Sequence, residues 1–414
     1  MNNEKRTIAS NFFSLTVLQA VNYLLPILVL PFLVRVLGLD KFGLVMFAQS
    51  LAAFFIIAVD FGFEISGTRE IALAKKNKEN LSQIFSAILI IKLALIIFWF
   101  ITLFLLVEFI PRFKNNSIVY YLSFGIVIGH AIFPVWFFQG IEKMKFVTFI
   151  NILAKLIFTV LLFIVIREES DYYLVPAFNS IGFILAGILG LLLCLKYVRF
   201  VKPPINLIKR LFIDSISLFF GKFATNLYTT CNVLILGFFV SDAIVGVYSS
   251  MEKLIIAVKN IYSPFYQASF PWLSNQSQNN RIKFLKKVTP IVFSIGLVIA
   301  LVIYGFGDII LELIYDDELV NQYVLVFKIL GVIAIFASLN MMLVSLYFTA
   351  VKLYKSRMQI LIITGLFHLP LSLILVKLYG IYGMATAVMI TEFFLLVIAF
   401  YFFQKHISEK LLID

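Results

Sequence analysis

Residues 83–109 read QIFSAILIIKLALIIFWFITLFLLVEF, and this stretch decides the fold class of the chain. A helix needs about 20 apolar residues to cross the ~30 Å hydrocarbon core of a bilayer. The stretch is longer than that and carries only two charged residues, Lys92 and Glu108. It therefore predicts a helix that spans a membrane.

The rest of the chain has the same character. Hydrophobic residues make up 62% of its 414 residues and charged residues 14%, and the mean hydropathy is +1.02. Soluble domains are about 45–50% apolar and about 25% charged. Short runs of alternating polarity, which indicate a membrane β-barrel, are absent from the sequence. We therefore expect an all-α integral membrane protein.

Twelve windows of this kind predict twelve transmembrane helices. They lie at residues 11–36, 42–65, 83–109, 117–140, 146–166, 172–195, 212–240, 243–267, 287–306, 322–348, 356–378 and 382–403. The basic linker at 196–211 follows the sixth window and predicts two six-helix lobes, residues 1–200 and 201–414. The turns around Gly43 and Gly246 are similar, which favours a parallel internal repeat.

Lys and Arg are distributed unevenly among the connections between these windows. Twenty-two fall on the side of the membrane that holds both termini, and six fall on the other side. By the positive-inside rule the basic side is cytoplasmic, so we expect both termini in the cytoplasm. The same rule accounts for the formal net charge of +12, which therefore does not predict a nucleic-acid partner.

Several ionisable side chains fall within predicted spans, where a charge costs about 2.5–3.5 kcal/mol on insertion scales. At mid-depth these are Lys92, Lys155, Lys222, Glu252, Lys253 and Glu392, and Asp60 and Glu64 lie towards the inner end of the second span. One interpretation is ion pairing between helices, such as Glu392 with Lys328, or Glu252 with a lysine of a neighbouring helix. The other is a hydrated cavity that receives a phosphate or pyrophosphate, because Lys outnumbers Glu at mid-depth.

The second interpretation assigns two groups of residues to transport. The substrate path would be a cationic cavity formed by Lys222, Lys253, Lys92, Lys155, Asn226 and Gln49. The candidates for gating or ion coupling are Asp60, Glu64, Arg69, Glu252 and Glu392. For each of these residues, a structural ion pair or an interhelical hydrogen bond is the alternative.

The sequence carries no motif for catalysis or for a bound cofactor. It has no G-x-x-x-x-G-K-[ST] loop for ATP, no H-E-x-x-H metal motif and no G-x-S-x-G nucleophile elbow. Its connections are short, whereas a membrane enzyme that acts on a lipid-linked sugar usually has a sizeable outer loop. We therefore expect a protein that is not an enzyme and that needs neither a cofactor nor a metal.

Five motifs, in order along the chain, resemble those of polysaccharide flippases of the Wzx type. They are DFGFEISGTREIA at 60–72, WFFQGIEKMKF at 136–146, VGVYSSMEKL at 245–254, SFP at 269–271 and YGIYGMATA at 379–387. On these motifs the chain is similar to the polysaccharide transporter family of the multidrug/oligosaccharidyl-lipid/polysaccharide exporter superfamily. It departs from the pattern at Glu64, an additional acid beside Asp60.

The resemblance implies two six-helix lobes around a central cavity lined by the first, second, seventh and eighth spans, which include Lys222 and Lys253. The implied substrate is an undecaprenyl-pyrophosphate-linked oligosaccharide, such as an O-antigen repeat unit. It would cross the bacterial inner membrane by alternating access, with an H⁺ or Na⁺ gradient as the coupling source. A polysaccharide polymerase and a chain-length regulator are the expected protein partners, together with membrane lipid.

Two other functions stay open at this point. The first is an ion-coupled exporter of drugs or small molecules with the same architecture, against which the excess of lysine argues, because a cationic drug prefers carboxylates. The second is a membrane polysaccharide polymerase or ligase, against which the short outer connections argue.

Overall fold

The fold is described from a computed structural model of the chain. The structure describes the backbone of residues 3–411 and the side chains of residue 25 and residues 28–408. The two termini, whose cytoplasmic location is predicted above, lie outside the described residues. All regular elements in the described part of the chain are helical, which confirms the prediction of an all-α fold.

The α-helices are interrupted by one 3₁₀-helix, Glu169–Tyr173, and one π-helix, Met341–Tyr347. Their bounds are α1 (Asn3–Asp60), α2 (Phe63–Ala74), α3 (Lys78–Phe109), α4 (Pro111–Lys114), α5 (Ser117–Ile132), α6 (Val135–Gly140), α7 (Met144–Val165), α8 (Leu174–Cys194), α9 (Ile205–Thr229), α10 (Asn232–Gly237), α11 (Asp242–Asn260), α12 (Ser263–Ser274), α13 (Gln278–Tyr315), α14 (Glu318–Gln322), α15 (Val324–Gly331), α16 (Ile333–Asn340), α17 (Phe348–Ala350) and α18 (Tyr354–Leu411).

Eight helical segments of the described chain are long and apolar enough to cross a membrane. They are Leu28–Ala74, Lys78–Phe109, Ser117–Gly140, Met144–Val165, Glu169–Cys194, Gln278–Tyr315, Val324–Ala350 and Tyr354–Ser408. The stretch at 83–109 lies within the second of them. The chain is therefore a multi-pass membrane protein, as its composition predicts.

The longest helices, α1 and α18, each contain a break in the helical backbone, at Gly38 and at Gly380. Both breaks lie in the gaps between two predicted spans. After Gly380 the chain turns back on itself. The evidence is that a Cβ added to Gly383 would clash with the carbonyl oxygen of Leu375. In a straight helix, Leu375 and Gly383 would be separated by about 12 Å. Thus α18 contains two predicted spans, and α1 contains one and most of a second, while the total of twelve stays a prediction.

The chain divides into two compact units. The first contains Val36–Phe223, and the second contains the chain from Ala224 onward together with a short part of α1 that ends at Arg35. The division falls inside α9. The predicted lobes, 1–200 and 201–414, concern the order of the spans and stay a prediction.

Two of the sequence motifs pack against each other in the core of the first unit. Gly67 in α2 lies against the ring of Trp136 in α6, and a side chain on Gly140 would clash with Ile71. The Thr68 hydroxyl donates to the carbonyl oxygen of Trp136, 3.2 Å away. The glycines therefore let α2 and α6 approach closely, and this packing supports the end of α1 and the start of α2.

The core of the second unit surrounds the π-helix. Tyr347 in that helix is fully buried, and its ring contacts Phe403 in α18 at 4.9 Å between centroids. Tyr266 in α12 is buried beside it in the same apolar cluster. The Tyr266 hydroxyl donates to the carbonyl oxygen of Ser338 over 2.7 Å, so this buried hydroxyl is satisfied.

Candidate functional site

The junction between α1 and α2 brings two carboxylates together. Asp60 is the last residue of α1, and Phe61 and Gly62 both have positive φ, 49° and 82°. This sharp turn starts α2 at Phe63 and places Glu64 in its first turn. Asp60 and Glu64 therefore lie on either side of the junction, close enough to share one lysine.

Gly62 also sets the distance from this junction to α9. A Cβ at Gly62 would lie 2.9 Å from the Cβ of Leu218 and 3.1 Å from the backbone nitrogen of Phe219. Any side chain there would push α9 away. Glycine thus meets two requirements at once, the positive φ and the close approach.

Four charged side chains meet at this point. Lys222 of α9 donates to Asp60 Oδ2 over 3.0 Å and to Glu64 Oε2 over 2.5 Å. Lys92 of α3 donates to Asp60 Oδ1 over 3.2 Å. We call Asp60, Glu64, Lys92 and Lys222 the charge cluster. Asp60 is its centre, because each of its carboxylate oxygens binds a different ammonium group.

The members of the charge cluster differ in exposure. The side chain of Lys92 is 4% exposed and that of Asp60 17%, whereas Lys222 is 31% and Glu64 51% exposed. The cluster is neutral overall, with two cations and two anions. Pairing with Asp60 offsets the cost of burying Lys92. Lys222 and Glu64 form the accessible side of the cluster.

This arrangement corrects one step of the sequence argument. The excess of lysine over glutamate at mid-depth leaves out Asp60 and Glu64, because these two residues lie towards the inner end of the second predicted span. In the structure these two carboxylates bind Lys92 and Lys222. For these two lysines the ion-pair interpretation is therefore correct, and their charge alone does not require an anionic ligand.

One face of α9 holds Lys222 against the junction. Phe61 stacks on Phe212 and Phe219 of α9 with ring centroids 4.5 and 4.9 Å apart. The hydroxyls of Ser66 and Ser215 are 2.8 Å apart and buried. The positions 212, 215, 219 and 222 follow the three- and four-residue spacing of one helical face. This spacing is visible in the sequence and is a signal by which the face of α9 that meets the junction can be identified.

A cavity opens beside the accessible carboxylate, and we call it the polar cavity because three of its four lining residues are polar. It has a volume of about 380 Å³ and is lined by Glu64, Ile65 and Thr68 of α2 and by Gln139 of α6. Gln139 belongs to the motif at 136–146, whose contribution to this cavity the sequence did not indicate. Hydroxyl, amide and carboxylate groups are the side chains that hydrogen-bond sugars and water.

Other predicted residues of the first unit have different positions. Gln49 in α1 and Lys155 in α7 are half-buried, and Arg69 in α2 is exposed. Arg69 is outside the charge cluster. The neighbouring Glu70 instead pairs with Arg210 of α9, at 2.8 Å, and adds a second ion pair between α2 and α9.

Glu252 and Glu392 lie in the second unit, and neither has the partner that the sequence suggested. The Glu252 carboxylate accepts hydrogen bonds from Asn232 at 2.9 Å and Tyr248 at 3.2 Å. Glu392 pairs with Lys259 and accepts from Asn340 at 2.8 Å. The suggested pairing of Glu392 with Lys328 is wrong.

Lys328 instead binds a carboxylate close to it. Its ammonium donates to Asp308 of α13 over 2.9 Å. Lys253 is exposed in α11, and Asn226 is half-buried in α9 with its amide oxygen 2.9 Å from the Thr230 hydroxyl. Among the described residues, no group of three or more His, Cys, Asp or Glu side chains is arranged to hold a metal ion.

Comparisons with known sequences agree over nearly the whole chain. A family model described as polysaccharide biosynthesis protein matches residues 8–277. A proposed O-antigen transporter of Escherichia coli K12 is 30% identical over 401 residues, which is 95% of each chain. A second proposed O-antigen transporter, from Shigella dysenteriae, is 28% identical over 92% of this chain and 96% of its own.

Comparisons with solved structures concern the fold. The inward-facing conformation of a multidrug resistance MATE family transporter of the MOP superfamily superposes with a TM-score of 0.73, at 14% identity, over 93% of this chain and 95% of its own. The lipid II flippase MurJ in an inward closed conformation superposes with a TM-score of 0.71, at 13% identity, over 94% and 87%. The chain therefore shares its fold with these two solved structures.

Proposed function

This chain belongs to the polysaccharide biosynthesis protein family, and we propose that it flips an undecaprenyl-pyrophosphate-linked oligosaccharide between the leaflets of the bacterial inner membrane. An O-antigen repeat unit is the substrate class that the names of its relatives support. Both relatives are named for a proposed transport activity and neither for an enzymatic one. The proposed direction is from the cytoplasmic to the outer leaflet, with both termini of the chain in the cytoplasm.

The observation that carries this proposal is Lys222 of α9, which is ion-paired and still 31% exposed. A pyrophosphate cannot cross hydrocarbon without a partner for its charge. Lysine binds phosphate as a point charge, and Lys222 is on the accessible side of the charge cluster. The substrate head group therefore replaces carboxylate oxygens as the ligand of Lys222.

The asymmetry of the charge cluster makes this exchange feasible. When Lys222 turns to a pyrophosphate, Asp60 keeps Lys92 as its partner at 3.2 Å. Glu64 loses its partner, but its side chain is 51% exposed and can be hydrated. Breaking a fully buried pair would cost several kcal/mol, and this exchange avoids leaving a buried charge alone. Lys92 is thus the fixed cation and Lys222 the exchangeable one.

The neighbouring polar cavity suits the rest of the head group. Its lining residues Glu64, Thr68 and Gln139 offer donors and acceptors to sugar hydroxyls or to water around them. Release of Glu64 from Lys222 would also leave a carboxylate able to take up a proton or bind Na⁺, the coupling ions that the family resemblance implies. An exporter of cationic drugs would find no excess of carboxylates here, because the charge cluster is neutral.

Complementation of a flippase deletion strain tests the proposal. We expect Lys222→Ala to abolish surface glycan, with lipid-linked repeat units accumulating on the inner leaflet, and Lys222→Arg to retain part of the export. Lys328→Ala is the matched control, because it also removes an ion-paired lysine and is expected to export normally. Full export by Lys222→Ala at normal protein levels would overturn the proposal.

A further inference from the structure

The first unit contains an apolar groove that is separate from the polar cavity beside Glu64. Its volume is about 370 Å³, and its lining comes from α3, α5, α8 and the segment that follows α8. Ile90 and Leu93 of α3 line it with side chains that are 44% and 51% exposed. The groove therefore opens to the surroundings along α3 and is not an enclosed cavity.

The length of the groove matches one leaflet of a bilayer. Its lining residues on α3 run from Ser86 to Ile96, which is about 15 Å at 1.5 Å per residue. The hydrocarbon core of a bilayer is about 30 Å thick. A single acyl chain of one leaflet can therefore lie along the groove.

Two serines fix the segment that closes one end of the groove. The backbone N–H groups of Arg199 and Val201 donate to the hydroxyls of Ser82 and Ser86, each over 3.1 Å. The ring of Phe200, between them, lies 5.8 Å from that of Phe85. The linker after α8 is thus bound to α3 over these residues, although no helix or strand hydrogen bonds hold it there.

This fixed segment places apolar and cationic groups side by side. Phe200 and Val201 line the groove, while their neighbours Arg199 and Lys202 are exposed. The hydrogen bonds from the backbone of Arg199 and Val201 to the two serines hold this segment at the end of the groove. Arg199 and Lys202 are therefore kept next to the apolar lining. Exposed basic side chains near a membrane surface attract the phosphate of an anionic lipid.

We propose that this groove binds an anionic phospholipid, with one acyl chain against Ile90 and Leu93 and the phosphate at Arg199 and Lys202. The basic side of the chain faces the cytoplasm in the predicted orientation, so the lipid would come from the inner leaflet. The inference stands apart from the proposed transport function, because it uses none of the charge cluster's exchangeable groups. Lys92, which also lines the groove, stays paired with Asp60.

Native mass spectrometry of the purified full chain tests this site with two probes, phosphatidylglycerol and phosphatidylcholine. We expect the wild type to retain phosphatidylglycerol at least fivefold more strongly. The double variant Arg199→Ala/Lys202→Ala should lose that preference. Leu93→Trp, which fills the groove, should weaken retention of both lipids.

The control is Lys286→Ala/Lys287→Ala in α13, which removes the same number of exposed positive charges elsewhere. Equal loss of phosphatidylglycerol in this control would overturn the site, since binding would then follow net charge alone. Equal retention of the two lipids by the wild type would overturn the role of the phosphate. If Leu93→Trp does not fold, Ile90→Trp tests the groove in its place.

A third arm distinguishes a phospholipid from the carrier lipid. An equimolar amount of polyprenyl phosphate should leave phosphatidylglycerol bound. Displacement by the polyprenyl phosphate would overturn the phospholipid assignment and identify the groove as an entry point for substrate.

Discussion

Lys222 and Asp60 are 162 positions apart in the chain, yet Lys222 Nζ lies 3.0 Å from Asp60 Oδ2 in the structure. Asp60 simultaneously binds Lys92 at 3.2 Å, so one carboxylate connects α3 and α9 to the end of α1. This connection joins the motif at 60–72, which carries part of the family resemblance, to Lys222, which the sequence singles out as a charge within a predicted span. The following predictions test what the connection does.

The first prediction separates binding by Lys222 from a purely structural role. The double variant Lys222→Met/Glu64→Gln removes one cation and one anion, so the charge cluster stays neutral. We expect it to accumulate in the membrane at the wild-type level and still to fail in glycan export. The measurement is surface glycan in a complemented deletion strain, normalised to the amount of protein. Normal export by this variant would show that Lys222 only balances charge.

The second prediction concerns the stability of the charge cluster. Asp60→Asn leaves the buried Lys92 without an anionic partner, and removing one member of a buried pair costs about 3–5 kcal/mol. Glu64→Gln removes an exposed partner, for which about 1 kcal/mol or less is expected. Denaturation of both variants in mild detergent measures the difference. Similar losses for the two would show that Asp60 is not the centre of the cluster.

The third prediction concerns the approach of α9 to the junction. Gly62→Ala should destabilise the protein, because φ is 82° and the new Cβ would lie 2.9 Å from that of Leu218. Gly305→Ala in α13 is the control, since a Cβ there has nothing within 4 Å. Alanine at that helical position is expected to stabilise slightly. The melting temperatures of the two variants should therefore shift in opposite directions.

The fourth prediction tests whether α9 moves relative to α2 during transport. The hydroxyls of Ser66 and Ser215 are 2.8 Å apart, so Ser66→Cys/Ser215→Cys should form a disulfide under oxidation. Both native cysteines, Cys194 and Cys231, are buried and free, and both are replaced in the background chain. We expect oxidation to stop flipping in reconstituted vesicles and reduction to restore it. Continued flipping by the cross-linked chain would show that this pair of helices moves as one body.

Much of the fold follows from composition and periodicity. Apolar windows such as 83–109 indicate membrane helices because lipid leaves the backbone no partner except itself. The breaks at Gly38 and Gly380 fall in the predicted gaps, and both glycines have the positive φ that glycine adopts readily. The family resemblance likewise depends on local motifs, and the match over residues 8–277 confirms it.

The pairing of charges did not follow from the sequence. Depth along a helix gives no information about which neighbouring helix a side chain faces. Lys328 is therefore a possible partner of Glu392 by sequence, whereas the structure pairs Glu392 with Lys259. Depth along the helix likewise gives no information about which side chains Asp60 and Glu64 bind. Their distance from Lys222 depends on the turn at Gly62 and on the packing of α9 against it.

The sequence by itself determined that this chain is a multi-pass helical membrane protein of a polysaccharide biosynthesis family, because hydropathy and local motifs are properties of short segments. Only the tertiary structure decided that Lys222 is one of two lysines bound to Asp60, and the more exposed of the two. The physical reason is that the energy of a charge in a membrane depends on its partner within a few ångströms. That partner is brought close by the packing of helices that are far apart in the chain.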